Sequence, residues 1–128
     1  MEGREVEVAG NAGRLKLKAQ LMRGEEIALG PGKADLLAAI AAHGSISAAG
    51  RALGLSYRRA WLMVDTMNRC FAAPLVRTHP GGRQGAELTD EGSAVLASYR
   101  ALVATLEAAA GPAAEGLLGR LKPEPPSG

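Results

Sequence analysis

The chain has 128 residues, of which 47% are hydrophobic and 22% are charged, and its formal net charge is +2. This length and composition predict one small soluble domain with a single core, and they exclude a disordered chain. Cys70 is the only cysteine, which excludes an intramolecular disulfide and fits a reducing compartment. No apolar run predicts a membrane span and the N-terminus lacks a signal-peptide pattern, so we expect a cytoplasmic protein.

The first predicted elements are two strands and a helix. Residues 1–13 are an N-terminal extension, after which apolar and polar residues alternate from Leu15 to Leu21 with the period of a half-buried strand. Gly24 allows the chain to turn back into a short strand over residues 26–29. After a Gly-Pro-Gly break, residues 33–43 carry apolar side chains at helical spacing.

Residues 44–68 predict two short helices joined by a tight turn. Gly54 can adopt the positive φ that ends the first helix, and Ser56 can cap the second. Ser47 is placed to cap the first helix. Gly50 is small enough to let the second helix cross the first closely, which is what a helix-turn-helix requires.

The second of these helices has an apolar stripe and a basic face. The stripe consists of Tyr57, Ala60, Trp61, Val64, Met67 and Phe71. Winding the helix at 100° per residue places Arg58, Arg59 and Arg69 on the opposite side. Guanidinium groups can pair with guanine acceptors or phosphates, and a docked helix usually presents its N-terminal residues to base edges. The side chains expected closest to double-stranded DNA are therefore Ser56, Tyr57, Arg58 and Arg59. Arg69, on the same basic face, is also expected to contact DNA.

Basic charge is concentrated around this helix. Residues 51–83 hold six arginines against Asp65 alone, whereas residues 1–50 are balanced and residues 84–128 are acidic. Charge alone fits a solvated face of an ordinary helical bundle as well as it fits a nucleic-acid surface. The turn pattern favours DNA.

A hairpin that follows the helix pair is predicted to be a wing. Residues 75–78 and 86–88 read as strands around a glycine-rich, positively charged tip. Arg77 and Arg83 are placed to contact phosphates or the adjacent minor groove. The alternative is a simple surface hairpin, but its position after the helix pair favours a wing.

A long helix is predicted over residues 90–110. Thr89 can cap it, and the Gly-Pro pair at 111–112 predicts its end, which leaves residues 111–128 as a disordered tail. We interpret its apolar stripe as a homodimer contact that sets two reading helices about 34 Å apart on a near-palindromic operator. The alternative is that the stripe packs only within its own chain. It comprises Val95, Leu96, Tyr99, Leu102, Val103 and Leu106.

The expected fold is therefore mostly α with a small β component. It is a winged helix-turn-helix domain over residues 14–110 with a long C-terminal dimerisation helix at 90–110.

Several motifs in order resemble one known family. They are Gly-Ser-Ile-Ser at 44–47, Gly-Leu-Ser-Tyr-Arg-Arg-Ala-Trp at 54–61, Met67-Asn68, Leu75-Val76, Gly81-Gly82 and Leu88-Thr89. Together they span roughly residues 15–106 and resemble the N-terminal DNA-binding domain of the molybdate-responsive transcriptional regulators of the ModE type. The resemblance implies a dimeric repressor or activator of molybdate-uptake or molybdoenzyme genes. The positions that match the family's DNA-contact positions are Ser47, Ser56, Tyr57, Arg58 and Arg59.

The chain also departs from this family. Members that sense molybdate directly carry a C-terminal ligand domain, for which we expect no room here, so no cofactor is predicted. The signal is then expected from a separate effector-sensing protein, from an oxyanion such as molybdate at the dimer interface, or from the regulator's own concentration. The wing differs by carrying Gln84 and Glu87 in place of a more glycine-rich pattern. LysR-type regulators share a similar helix pair, but the Ser-Tyr-X-X-Ala-Trp string favours the molybdate type.

Other function classes are less well supported. His43 and His79 are far apart and have no clustered cysteine or carboxylate partners, so we expect neither an enzyme nor a metal site. A LysR-like regulator of other genes, or a winged-helix protein-interaction module without DNA binding, stays an alternative. Arg58 and Arg59 favour a DNA reader over an interaction module.

Overall fold

A computed structural model describes residues 4–7, 13–79 and 85–123 of the chain. The described elements, in chain order, are β1 (Arg4–Glu7), β2 (Arg14–Leu17), β3 (Leu21–Arg23), β4 (Glu26–Leu29), α1 (Pro31–His43), α2 (Ile46–Ala52), α3 (Tyr57–Cys70), β5 (Val76–Thr78), β6 (Ala86–Leu88) and α4 (Asp90–Leu118). The predicted fold class is confirmed: the chain is mostly helical, with a helix-turn-helix, a hairpin after it and a long last helix.

Within the described residues the strands form three separate antiparallel pairs, β1 with β2, β3 with β4, and β5 with β6. The single strand expected between Leu15 and Leu21 is instead two strands, β2 and β3. Between them, the carbonyl of Ala19 accepts a hydrogen bond from the Tyr99 hydroxyl at 2.8 Å, so this segment is tied to α4. The N-terminal extension also contributes β1, which the sequence did not predict and which pairs with β2.

The helix-turn-helix forms where it was expected. Gly54 has a φ of 71°, and the Ser56 hydroxyl caps α3 by accepting from the Arg59 amide at 3.0 Å. A Cβ on Gly50 would lie 3.2 Å from the Ala60 Cβ, which confirms that α2 and α3 cross closely. The cap of α2 was assigned to the wrong serine, because α2 begins at Ile46 and its first amides are capped by the Ser45 hydroxyl.

One apolar core joins α1, the helix pair, the wing strands and the first half of α4. Its fully buried larger side chains are Leu29, Leu36, Leu37, Ile40, Met67 and Leu75. Burial of this apolar surface is the main term that holds α3 and the wing in place.

The last helix is longer than expected. It does not end at the Gly-Pro pair but continues through Pro112 to Leu118, so residues 111–118 are helical rather than part of a disordered tail. A proline inside a helix removes a hydrogen bond and crowds the preceding turn. Here the buried stripe of α4 continues beyond it with Ala114 and Leu118, at 4% and 5% exposure, and the β1–β2 hairpin lies against the same helix. Residues 124–128 lie outside the described part of the chain.

By length and composition alone α4 could cross a membrane, contrary to the expectation that no apolar run of the sequence could do so. The helix instead contributes Leu96, Tyr99 and Val103 to the core, where each is at most 8% exposed. Core helices of soluble proteins meet the same length and composition criteria, so this feature is weak evidence for a membrane span.

Candidate nucleic-acid interface

The first turn of α3 stands free of the domain. Arg58 and Arg59 are both exposed, and within the described residues neither guanidinium has an ion-pair or hydrogen-bond partner. The Ser56 hydroxyl accepts from the Arg59 amide, so that side chain fixes where the helix begins. The end of the helix that sequence reasoning placed nearest DNA therefore presents two cations with no protein partner in the described structure.

Two aromatic side chains accompany these arginines. Tyr57 and Trp61 were both placed on the buried stripe, but they are 54% and 37% exposed. Their ring centroids lie 6.2 Å apart in an edge-to-face arrangement. Of the predicted stripe, Ala60, Val64 and Met67 are buried and Phe71 is half-buried. For Tyr57, exposure agrees with its other expected role beside DNA.

Ser47 lies on α2 next to an arginine that the sequence analysis did not select. The Nη1 of Arg51 donates to the Ser47 Oγ at 2.8 Å, with both side chains on one face of the helix. The spacing of four residues between Ser47 and Arg51 is the sequence feature that could have indicated this contact, because residues four apart are neighbours on a helix. Arg51 is exposed and adds a cation on α2 to Arg58 and Arg59 on α3.

Arg69, at the other end of α3, is tied down. Its guanidinium donates two hydrogen bonds to the Glu26 carboxylate, at 2.9 and 3.0 Å, and a third to Asp65 at 3.2 Å. The hydrogen bond from Arg69 lowers the pKa of Glu26 below its ordinary value, and the hydrogen bonds from Glu26 and then Asp65 raise the pKa of Arg69. This arrangement braces α3 against β4.

The wing carries its own charge pairs at its base. Arg77 Nη2 lies 3.4 Å from one oxygen of Glu87, and His79 Nε2 lies 3.2 Å from the other. Glu87, which differs from the family's glycine-rich wing pattern, therefore pairs with Arg77 on β5 and with His79 just after it. Arg83 and the remainder of the tip, residues 80–84, lie outside the described residues.

Asn68 joins α3 to the wing. Its Oδ1 accepts from the amides of Leu75 and Val76 at 2.9 and 3.1 Å, and its Nδ2 donates to the Val76 carbonyl at 3.1 Å. Three hydrogen bonds from one side chain satisfy the backbone where β5 begins. The resemblance included Asn68 without giving it a role.

The start of α4 is attached to the same segment. The Thr89 hydroxyl donates to the Pro74 carbonyl at 2.6 Å and accepts from the Gly92 amide at 3.0 Å, which makes Thr89 the cap that the sequence predicted. A Cβ on Gly92 would collide with the Leu75 carbonyl oxygen. α3, the wing and α4 are thus held together around residues 74–76.

A cleft of about 200 Å³ separates the first turn of α3 from the wing. Its lining residues are Ile46, Ser47, Tyr57, Trp61, Thr78, His79 and Gly85. Elsewhere in the described chain there is no group of three or more His, Cys, Asp or Glu side chains that could hold a metal ion. The chemistry of this face is that of hydrogen-bond donors and cations, which suits a polyanion.

Comparison with known proteins agrees with this geometry. Residues 33–93 match the bacterial regulatory helix-turn-helix proteins of the LysR family, a segment that runs from α1 to the start of α4. The matched segment contains the reading helix and the wing.

Three curated relatives are named for molybdenum. The chain is 45% identical over 85 residues to the molybdenum-pterin-binding protein MopA of Rhodobacter capsulatus, covering 65% of this chain and 32% of that protein. It is 49% identical over 78 residues to MopB of the same organism (59% and 29%), and 47% identical over 77 residues to the molybdenum transport protein ModE of Azotobacter vinelandii (59% and 28%). The chain thus spans about a third of the length of these relatives. They confirm the resemblance that the motifs indicated.

Proposed function

Because residues 33–93 carry a regulatory helix-turn-helix of the LysR family, we propose that the chain is a sequence-specific DNA-binding transcription regulator of the cytoplasm, not an enzyme. The observation that carries the proposal is the exposed first turn of α3, where Arg58 and Arg59 have no partner within the described residues. Two long cations without a counter-charge on an ordered helix end are what a DNA-reading helix needs before it docks.

The reading contacts are assigned to this turn. Arg58 and Arg59 are the candidates for bidentate pairing with guanine in the major groove, each worth about 1–3 kcal/mol of discrimination. Tyr57 lies beside them, and Ser56 fixes the start of the helix. Ser47 belongs to the surface that meets the DNA backbone, as its link to Arg51 supports.

The wing contributes contacts to the backbone or the minor groove. Arg77 and Arg83 keep the roles that the sequence gave them, with Arg77 sharing its charge with Glu87 until DNA offers a phosphate. For Arg69 we propose a bracing role in place of DNA contact, because its guanidinium is already engaged by Glu26 and Asp65.

The regulator is proposed to act as a homodimer through α4. Half of the predicted stripe is used within the chain, since Leu96, Tyr99 and Val103 are buried. Leu102 and Leu106 stay 49% and 39% exposed one turn apart on the same helix, so an apolar surface is left for a second copy. A groove of about 330 Å³ between α4 and β3 continues this surface. Two copies would read a near-palindromic operator with half-sites about one DNA turn apart.

The target genes are proposed from the relatives. Two of them are named as molybdenum-pterin-binding proteins and the third as a molybdenum transport protein. We propose that this chain regulates molybdate-transport or molybdoenzyme genes and takes its signal from a separate effector-sensing protein or from an oxyanion such as molybdate.

The experiment is a binding titration of the purified chain on duplexes from molybdate-transport promoters, against scrambled duplexes of the same composition. Each titration is run across a salt series, with and without molybdate. The dependence of affinity on salt concentration, together with the ratio of affinities for the two duplexes, distinguishes sequence-specific binding from non-specific attraction to DNA charge. Sedimentation of the complex gives the number of chains per operator.

A specificity ratio of about a thousand or more, with two chains per site, is the expected result. Specific binding that molybdate does not change would assign the signal to another molecule, and a molybdate-dependent change would assign sensing to this chain. Equal weak binding to both duplexes would contradict the proposal and favour a protein-interaction module.

A further inference from the structure

Residues with hydroxyl side chains from three different elements line the cleft between α3 and the wing. Ser47 comes from α2, Tyr57 from α3 and Thr78 from β5, and His79 and Gly85 close the wing side. Within the described residues, the Tyr57 and Thr78 hydroxyls have no hydrogen-bond partner. Hydroxyl-bearing side chains from separate elements that line one concave site can donate to a ligand with several acceptor oxygens.

The neighbouring charges favour an anion there. Arg51 donates to the Ser47 Oγ, so the proton of that hydroxyl stays available to a ligand and a guanidinium lies beside the cleft. Glu87, the carboxylate paired with the lining residue His79, is not itself part of the lining, and its two oxygens face Arg77 and His79. The cleft therefore combines neutral donors with net positive surroundings.

We propose that this cleft binds one tetrahedral oxyanion, and that when the chain is on its operator this group is a phosphate of the DNA backbone. The assignment rests on the proposed function, since it places a backbone phosphate between the reading helix and the wing. Hydroxyl, imidazole and backbone N–H groups are common donors to DNA phosphates and set the register of the protein on the duplex. A free tetrahedral oxoanion offers the same oxygens, so the test must separate the two sources.

The first arm uses operators in which one phosphate at a time is replaced by an uncharged methylphosphonate. We expect one position in each half-site at which wild-type affinity falls about tenfold, the effect of one charge-assisted hydrogen bond. Thr78→Val, which keeps the side-chain shape, should weaken binding to the unmodified operator by a similar factor. It should then be insensitive to the methylphosphonate at that position, which a double-mutant cycle measures. Thr105→Val, on α4 and outside the lining of the cleft, is the matched control and should retain wild-type sensitivity.

The second arm uses the fluorescence of Trp61, which is the only tryptophan and lines the cleft. Inorganic phosphate and molybdate are titrated into the DNA-free chain at constant ionic strength, with chloride as the reference anion. A saturable change that Thr78→Val and Ser47→Ala both remove would assign the cleft to a free oxoanion. Circular dichroism of both variants checks that the fold is retained.

The two arms keep this inference separable from the proposed function. Specific operator binding without a coupled phosphate, together with no saturable change of Trp61 emission, would overturn the oxyanion site and leave the DNA reader standing. If the wild-type chain showed no specific operator binding, the proposed function would be overturned. The fluorescence titration would still decide whether the cleft binds an oxyanion.

Discussion

The two ends of α3 present the same residue type in opposite circumstances. At the first turn, Arg58 and Arg59 extend from the surface with no partner in the described structure, beside an exposed aromatic pair. At the last turn, Arg69 is held by Glu26 on β4 and by Asp65 on its own helix. Both ends lie on the basic face that the helical wheel predicts.

The difference shows that arginine on a free face does not by itself identify a nucleic-acid contact. A guanidinium already paired with two carboxylates would have to give up those hydrogen bonds to reach DNA, whereas an unpaired one gives up only water. The partners of each guanidinium, more than its charge, therefore distinguish the two ends. We call the first turn, which we propose reads DNA, the reading end, and the last turn, which pairs with Glu26 and Asp65, the bracing end. Substitutions at the two ends of α3, and at its contacts with the wing, can test this difference separately.

The largest expected effect is on binding, from charge reversal at the reading end. In Arg58→Glu with Arg59→Glu, two attractions to DNA become repulsions, so operator affinity should fall by about a hundredfold or more while the thermal midpoint stays unchanged. Affinity is measured by fluorescence anisotropy and stability by thermal unfolding. Unchanged affinity would contradict the assignment of the first turn to DNA.

Local signals made the reading end predictable. Gly54 and Ser56 mark the turn and the cap by their own chemistry, and the string from Gly54 to Trp61 carries the family resemblance. The exposure of Tyr57 and Trp61 was not predictable from periodicity, because a helical wheel shows which residues share a face but not how far the neighbouring elements extend over it. Ser45 and Ser47 both qualify as caps in sequence, and the choice depends on the burial of Ile46, which is 2% exposed.

The bracing end depends on contacts that sequence patterns do not carry. Glu26 precedes Arg69 by 43 residues, and their pairing follows only from the position of β4 beside α3. The passage of α4 through Pro112 is a similar case, since the local rule predicts an end and the continued buried stripe supports the helix. Tertiary packing outweighs local preference in both.

The second prediction concerns the junction at which α4 meets the segment of residues 74–76 ahead of the wing. In Gly92→Ala the new methyl group would collide with the Leu75 carbonyl, a backbone atom that cannot move without displacing the wing, so we expect a loss of about 3 kcal/mol in the free energy of unfolding. Denaturant unfolding measures the change. Gly116→Ala in the same helix meets no neighbouring atom and should instead stabilise the chain by about 0.5–1 kcal/mol. Equal effects of the two substitutions would show that the junction is loose.

The third prediction concerns the hydrogen bonds by which Asn68 joins α3 to the wing. Asn68→Ala leaves the amides of Leu75 and Val76 without their acceptor, and we expect a loss of about 2 kcal/mol in the free energy of unfolding. Asn68→Asp keeps both acceptor bonds but replaces the donation to the Val76 carbonyl by a contact between two oxygens, so it should cost part of that loss. If operator affinity falls in Asn68→Ala at a temperature where the variant is still folded, the wing contributes to binding. A larger loss in the free energy of unfolding for Asn68→Asp than for Asn68→Ala would contradict the role of the Asn68 Oδ1 as an acceptor for the two amides.

The smallest expected effect is at Arg69 itself. Arg69→Met removes an exposed ion pair, so stability should fall slightly and operator affinity should stay within roughly threefold of wild type, in contrast to the reading end. A loss of affinity comparable to that of the Arg58 and Arg59 reversals would restore Arg69 to the DNA surface.

The acid side of the stability profile tests the same pair independently of DNA. The hydrogen bond from Arg69 lowers the folded-state pKa of Glu26, so the pair contributes stability above the ordinary carboxyl value of 4.5 and loses it as the pH falls through the lower folded-state pKa. Wild type should therefore lose stability in this window more steeply than Arg69→Met, as thermal unfolding between pH 6 and roughly pH 3 would show. Parallel profiles would mean that Glu26 titrates normally and that the bracing end is held by apolar packing alone. The contrast between the two ends of α3 would then rest on exposure instead of on ion pairing.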